Sequence, residues 1–381
     1  MIVEIRNAGF VNKGATMMLL SIIEKIRENY PDAKIVMHAA SNAPYIKRAR
    51  LGLYQKLHFR KYGIHSDNIL KFVSKAIRKR FGLILDSEID VIFDAAGFAY
   101  SDQWGNYMAK HTAWDMKRWK KQGAKVILMP QAFGPFTQPD LQKSIKQIIK
   151  LADLIYAREK ISCQYLTGLA GDNTKQIKQS PDFTNLLKAE IPTDFNSMDN
   201  KVCLVPNMRM IDKTSKKESD NYLNLMANAI NILINKNAKP FFLIHEGKKD
   251  RELAENIMQK VGRKINIIEE NDALKIKGVI GACDAMIGSR FHGLVSALSQ
   301  GVPALGTGWS HKYQMLYEDY DFPEGLLNVN DDKDNLKLKI DLILDNKSRN
   351  KIISKIKKAS AKQEEAVNAM WNEIFELINK Q

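Results

Sequence analysis

DAMIGSRFHGLVSALSQGVPALG (residues 284 to 306) writes out a strand, a helix and a second strand in one line of sequence. AMIG and PALG are apolar runs of strand length. Between them GLVSALSQG carries small and apolar residues at helical spacing and closes on Gly301 and Pro303, which do not continue a helix. Strands joined by so short a helical crossover run parallel, and strands apolar throughout are covered by helices on both faces. The stretch therefore predicts a parallel α/β sheet. It also sets an arginine and a histidine, Arg290 and His292, directly after a buried strand.

The same rhythm extends outward in both directions. Towards the N-terminus it runs through IVEI (2 to 5), a helix through Ile22 and Ile26, AKIVMHAA (33 to 40), DVIFDAAG (90 to 97), a helix through Trp114 and Trp119, KVILMPQAFG (125 to 134), a helix from about Pro139 to Leu151, and DLIYAR (153 to 158). Periodicity stops at KAEIPTDFNSMDN (188 to 200), a polar, turn-rich segment that reads as a linker. It restarts with KVCLVP (201 to 206), KPFFLIHE (239 to 246) and INIIE (265 to 269), each followed by a helical pattern. A lysine-rich amphipathic helix closes the chain from about residue 346, and its stripe of Val367, Trp371, Ile374, Phe375 and Ile378 reads as a packing face.

A chain of 381 residues is long for one core, so the reading is two Rossmann-like domains, 1 to 190 and 200 to 345, with a helical tail, 346 to 381. Two such domains in tandem are expected to face each other across a cleft, with ligand residues just after the strands.

Composition narrows the partners. Lys and Arg number 58 against 43 for Asp and Glu, a net charge of +15 that favours anionic ligands or surfaces. No nucleic-acid motif accompanies that charge and aromatic residues are not interleaved with the basic runs, so nucleic acid is not expected. Cys163, Cys203 and Cys283 are odd in number and far apart, which fits neither a disulfide framework nor a metal-binding pair and suggests a reducing compartment. The N-terminus lacks the plan of a signal peptide and no uncharged apolar run reaches about 18 residues. The expectation is a cytoplasmic protein, compatible with peripheral contact at the inner face of a membrane.

The strand ends supply the candidate site. After the first strand, NAGFVNKGAT (7 to 16) offers Asn7, Gly9, Asn12 and Lys13 ahead of a helix expected to begin near Thr16, without the spacing of a dinucleotide or P-loop fingerprint. Gly97 turns the next legible strand, whose Asp94 and Asp102 read as caps of nearby amides. Gln131 sits in MPQAFGP, a backbone constrained for positioning. Arg158 ends DLIYAR with a planar fork suited to carboxylate or phosphate, and Arg209, His245 and Glu246 raise the same question more weakly. Arg290, His292 and, after the next strand, Ser310, His311 and Lys312 share one sheet edge. The cluster contains no serine triad, no carboxylate pair and no three-ligand metal set, so no metal is expected. It suits a ligand with several negative charges, with one histidine to move a proton.

SRFHGLVSALSQGVPALG followed by WSHK (309 to 312), supported by ADLIYAREKIS (152 to 162), SPD (180 to 182) and the N-terminal N-x-G and N-K-G turns, resembles the polysaccharide pyruvyl transferase family over roughly residues 1 to 330. The chain departs from that family's usual pattern at DAAGFAY, at PQAFGPF and at Ala15. The resemblance implies a fold similar to the GT-B glycosyltransferases. It also implies transfer of a pyruvyl group from phosphoenolpyruvate, as co-substrate and without a cofactor, onto a lipid-linked or nucleotide-linked sugar in bacterial surface-polysaccharide synthesis. On that basis His292 and Arg290 are the catalytic candidates, Arg158, Ser289, Arg290, Ser310 and Lys312 hold the donor, and Asn7, Gly9, Asn12, Lys13, Gly97 and Gln131 serve the acceptor. Two rivals stand beside it: a GT-B glycosyltransferase or epimerase using a nucleotide sugar, and a non-catalytic polyanion-binding protein.

Overall fold

The computed structural model describes all residues except 58, 59, 62, 63, 66 to 71, 200 and 381. The chain forms two compact units: Met1–Val11, Met18–Phe183 and Asn368–Gln381 in the first, Asn12–Met17 and Thr184–Val367 in the second.

In the first unit eight strands pair in the order Ile177–Gln179, Leu154–Ala157, Lys125–Gln131, Val91–Asp94, Ile2–Arg6, Lys34–Met37, Tyr54–Leu57, Leu83–Leu85, all parallel. VIFD and LIYA are buried along their whole length because helices cover both faces, and Met116, Trp119, Ile145 and Ile148 from two of those helices fill the core beside Ile92 and Leu128. Chain order reverses at the strand Ile2–Arg6, the position at which open α/β sheets receive ligands. The three strands of this sheet beyond the expected set, Tyr54–Leu57, Leu83–Leu85 and Ile177–Gln179, lie at its margins and are short.

One buried row of this unit is ionic. Glu4, 1% exposed, accepts from Lys56 Nζ at 2.7 Å, and Lys56 also pairs with Asp86 at 2.5 Å. Asp86 in turn accepts from Arg118 Nε at 2.7 Å and from Trp119 Nε1 at 3.0 Å. The final turns of the C-terminal helix Asn346–Asn379 pack in this unit. Trp371 stacks on Phe375 at 5.5 Å between ring centroids and meets Phe93 and Phe183 at 6.1 and 6.4 Å. Lys125 Nζ donates to the carbonyls of Leu377 and Ile378, at 2.6 and 3.1 Å.

The second unit holds five parallel strands in the order Asn266–Glu269, Pro240–Ile244, Val202–Val205, Ala285–Gly288, Ala304–Gly306. Chain order reverses at Val202–Val205, so the turns after that strand and after Ala285–Gly288 flank the natural ligand position. Residues 284 to 306 form a parallel strand, the helix Phe291–Ser299 and a parallel strand.

Candidate functional site

Beyond the strand Ala285–Gly288 the backbone is pinned before the charged residues begin. The Ser289 carbonyl accepts from Asn207 Nδ2 at 2.7 Å and from the Tyr313 hydroxyl at 2.9 Å, and the Ser289 and Tyr222 hydroxyls share a bond of 2.7 Å. Ser289 is thus a fully enclosed brace. Arg290 follows at the N-cap of the helix Phe291–Ser299 and folds onto two carboxylates. Its Nε and Nη2 donate to the two oxygens of Asp250 at 2.9 and 2.5 Å, and its Nη1 donates to Glu246. Burial opposes the guanidinium charge, but Asp250 and Glu246 more than offset it and raise its pKa above the ordinary arginine value. Asp250 is fully buried in the first turn of the helix Gly247–Val261, where the helix dipole favours a carboxylate, and it also accepts from the amides of Met208 and Glu246, each at 3.1 Å.

His292 occupies the first turn of its helix with its ring against the backbone of Gly14: a Cβ on Gly14 would lie 2.1 Å from His292 Nδ1. No side chain fits there, so the glycine is required by the contact. The helix carrying Gly14 begins at Lys13 and not near Thr16, because Asn12 Oδ1 accepts from the Ala15 amide at 3.1 Å and caps the turn early. Asn12 Nδ2 also donates to Glu246 at 3.1 Å, and Lys13 Nζ donates to the Asn271 carbonyl at 2.8 Å. Asn12, Lys13 and Gly14 are therefore built into the second unit, beside Arg290 and His292.

His245, at the end of the strand Pro240–Ile244, is 2% exposed. Burial first, and then the charges of Arg290, His292 and Lys13, push its pKa well below the ordinary histidine value, so its ring is neutral. Lys312, 7% exposed, lies in the first turn of the helix His311–Asp319 with its ammonium 4.8 Å from the Trp309 ring, 5.3 Å from Phe291 and 5.4 Å from Tyr313. Such aromatic faces stabilise a desolvated cation. Ser310 occupies the N-cap position of the same helix, but its buried hydroxyl has no hydrogen-bond partner among the described residues. A cavity of about 690 Å³ opens alongside, lined in part by Met210, Trp309, Ser310, His311, Tyr313 and Asn328. Arg209 turns away to Asp212 in an exposed pair at 2.8 Å.

The remaining expected residues belong to the first unit. Arg158, 4% exposed, pairs with Asp182 of the SPD segment at 3.2 Å, and its amide donates to the Gln131 carbonyl at 3.0 Å. Gln131 is fully buried, and neither its amide oxygen nor its amide nitrogen has a partner among the described residues. Asn7 adopts φ 59° and donates to Asp94 at 2.7 Å; Asp94 also accepts from the Tyr100 hydroxyl at 2.8 Å and the Ala96 amide at 3.2 Å. Asp94 thus holds the loop, as a cap does. A cavity of about 510 Å³ lies here, lined by Arg6, Asn7, His38, Asn42, His111 and Asp115 among others. Gly9 admits Asn42 at a distance no Cβ would allow, and Gly97 turns at φ 69°. Asp102 caps Thr137 and Gln138.

Sequence reasoning missed Asp250 altogether and gave Glu246 no partner. The signal available was the HEGKKD segment, an acid at each end of a new helix's first turn. Among the described residues no cluster of three or more His, Cys, Asp or Glu is arranged to hold a metal, and no helix is long and apolar enough to cross a membrane.

A model of the polysaccharide pyruvyl transferase family matches residues 12 to 311. Similar solved structures include the Anabaena protein HepE in complex with UDP and glucose, at TM-score 0.62 and 13% identity over 100% of this chain and 99% of that one. The UDP-GlcNAc 2-epimerase of Neisseria meningitidis bound to UDP-GlcNAc follows at 0.57 and 12%, over 97% and 100%. That of Methanocaldococcus jannaschii gives 0.56 and 13%, over 91% and 94%. At such identities the likeness speaks for the GT-B-type fold with its Rossmann-like domains.

Proposed function

The chain belongs to the polysaccharide pyruvyl transferase family, a family of transferases, and from that premise we propose that it moves a pyruvyl group from phosphoenolpyruvate onto two hydroxyls of a sugar, as a ketal, in building a surface polysaccharide. The observation that carries the reading is His292 held against Gly14, two residues beyond an Arg290 locked to Asp250 and Glu246, on the edge of a sheet that also bears Lys312.

His292 in its protonated form donates to the donor's methylene carbon, which becomes a methyl group and leaves positive charge on the adjacent carbon. One sugar hydroxyl adds there, the bond to the phosphate oxygen breaks, and a second hydroxyl closes the ketal. Of the two protons the hydroxyls release, one replaces the proton His292 gave and the other leaves with phosphate. Lys312 and the amides at the start of its helix suit the donor's anionic oxygens. Arg290, already neutralised by two carboxylates, fixes the frame around His292 and turns its remaining N–H groups to the donor. Arg158 is the first unit's candidate for an anion, and Asn7 places the acceptor sugar at the 510 Å³ cavity of that unit. The acceptor is a lipid-linked or nucleotide-linked sugar whose phosphates match the charge of +15, used on the cytoplasmic side of a membrane.

The test is a mass spectrum of each sugar in a panel of lipid-linked and nucleotide-linked acceptors after incubation with protein and phosphoenolpyruvate. A mass gain equal to a pyruvyl ketal on one acceptor is the expected result. Turnover of a nucleotide sugar without phosphoenolpyruvate would replace the reading with a glycosyl-transfer or epimerase chemistry.

A further inference from the structure

The strands of the second unit are in register such that Leu204 pairs with Phe242 and Val205 with Gly288. Asn207, His245 and Arg290 therefore stand in one row just beyond the strand ends, where the chain order reverses. Two of the three are committed: Asn207 holds the Ser289 carbonyl and Arg290 holds Asp250 and Glu246. His245 is not. It is 2% exposed, and neither Nδ1 nor Nε2 has a hydrogen-bond partner among the described residues. Leaving a buried polar group unsatisfied costs about 1 to 3 kcal/mol, and an apolar ring of the same shape would escape that cost. The position gains nothing in stability from histidine, so its use must come from something that binds.

We infer that His245 contacts the donor directly, giving a ring N–H to an anionic oxygen of phosphoenolpyruvate. The inference rests on the pyruvyl-transfer reading and adds a residue to its donor site. Its chemistry suits the place. Arg290 and Lys13 already bring positive charge near it. A neutral imidazole adds a directed donor without a further cation, whereas the charge of Arg290 is spent on its two carboxylates.

The experiment compares wild type with His245→Phe, which keeps a planar ring and removes both nitrogens. Calorimetric titration with phosphoenolpyruvate alone, without acceptor, gives the affinity, and a thermal melt gives the stability. The expected result is a melting temperature equal to or above wild type together with donor affinity weakened about 10- to 100-fold, the worth of a hydrogen bond to a charged group. His245→Asn, which restores an N–H donor, should recover part of that loss, and it carries the comparison should the phenylalanine variant fail to fold. Equal affinities in wild type and variants, whatever their stability, would overturn the inference and leave the pyruvyl reading standing. Wild-type protein that does not bind phosphoenolpyruvate would overturn both.

Discussion

At the scale of single residues, the site is defined by close approaches as much as by charges. Gly14 leaves no room for a Cβ beneath His292, so Gly14→Ala displaces the ring, and a shift of the order of 1 Å in a catalytic group is worth about 10²-fold in rate. The expected outcome is a comparable fall in kcat with a nearly unchanged melting temperature, measured by steady-state kinetics and a thermal melt. Asp250→Ala acts differently: it removes the two-pronged partner of the buried Arg290 guanidinium and leaves it Glu246 alone, and a loss of about 1.5 to 3 kcal/mol should be read from a lowered urea midpoint. Arg290, His292 and Lys312 were legible as candidates because a strand followed at once by basic side chains is a local pattern. Their partners were not. Asp250 lies 40 residues from Arg290 in the chain, and only the pairing of parallel strands brings them together.

At the scale of elements, the sequence reads best where periodicity is long. Interior strands such as VIFD and LIYA are apolar because both faces are covered, and they stood out for that reason. The marginal strands did not, since YQKL and IKQ are half polar and a buried Lys56 is tolerable only with Glu4 and Asp86 against it. The start of the helix Lys13–Asn29 was misjudged because Asn12 both caps it and reaches Glu246. The C-terminal stripe packs through Trp371, 1% exposed among Phe93, Phe183 and Phe375. Trp371→Ala should cost about 3 to 5 kcal/mol, read as a lowered denaturation midpoint, while phosphoenolpyruvate affinity holds at permissive temperature.

At the scale of the whole molecule, stability and function draw on different charges. Burial alone would raise the pKa of Asp86, but Lys56 and Arg118 outweigh it and hold the carboxyl well below the ordinary range. Its folded pKa lies below its unfolded value, so its contribution is complete above about pH 4 and is lost as the pH falls further. Urea midpoints against pH should therefore drop in acid for wild type, and Asp86→Asn should be less stable at neutral pH with a flatter acid limb. The excess of positive charge, by contrast, favours anionic ligands, as the proposed donor and acceptor are. Transfer between them is tested most directly by phosphate release from phosphoenolpyruvate, followed with and without the sugar acceptor, in wild type and in His292→Ala. The account predicts release that requires the acceptor and falls about 10²- to 10⁴-fold in the variant while its fold is kept. Release at the wild-type rate from a folded His292→Ala protein would contradict it.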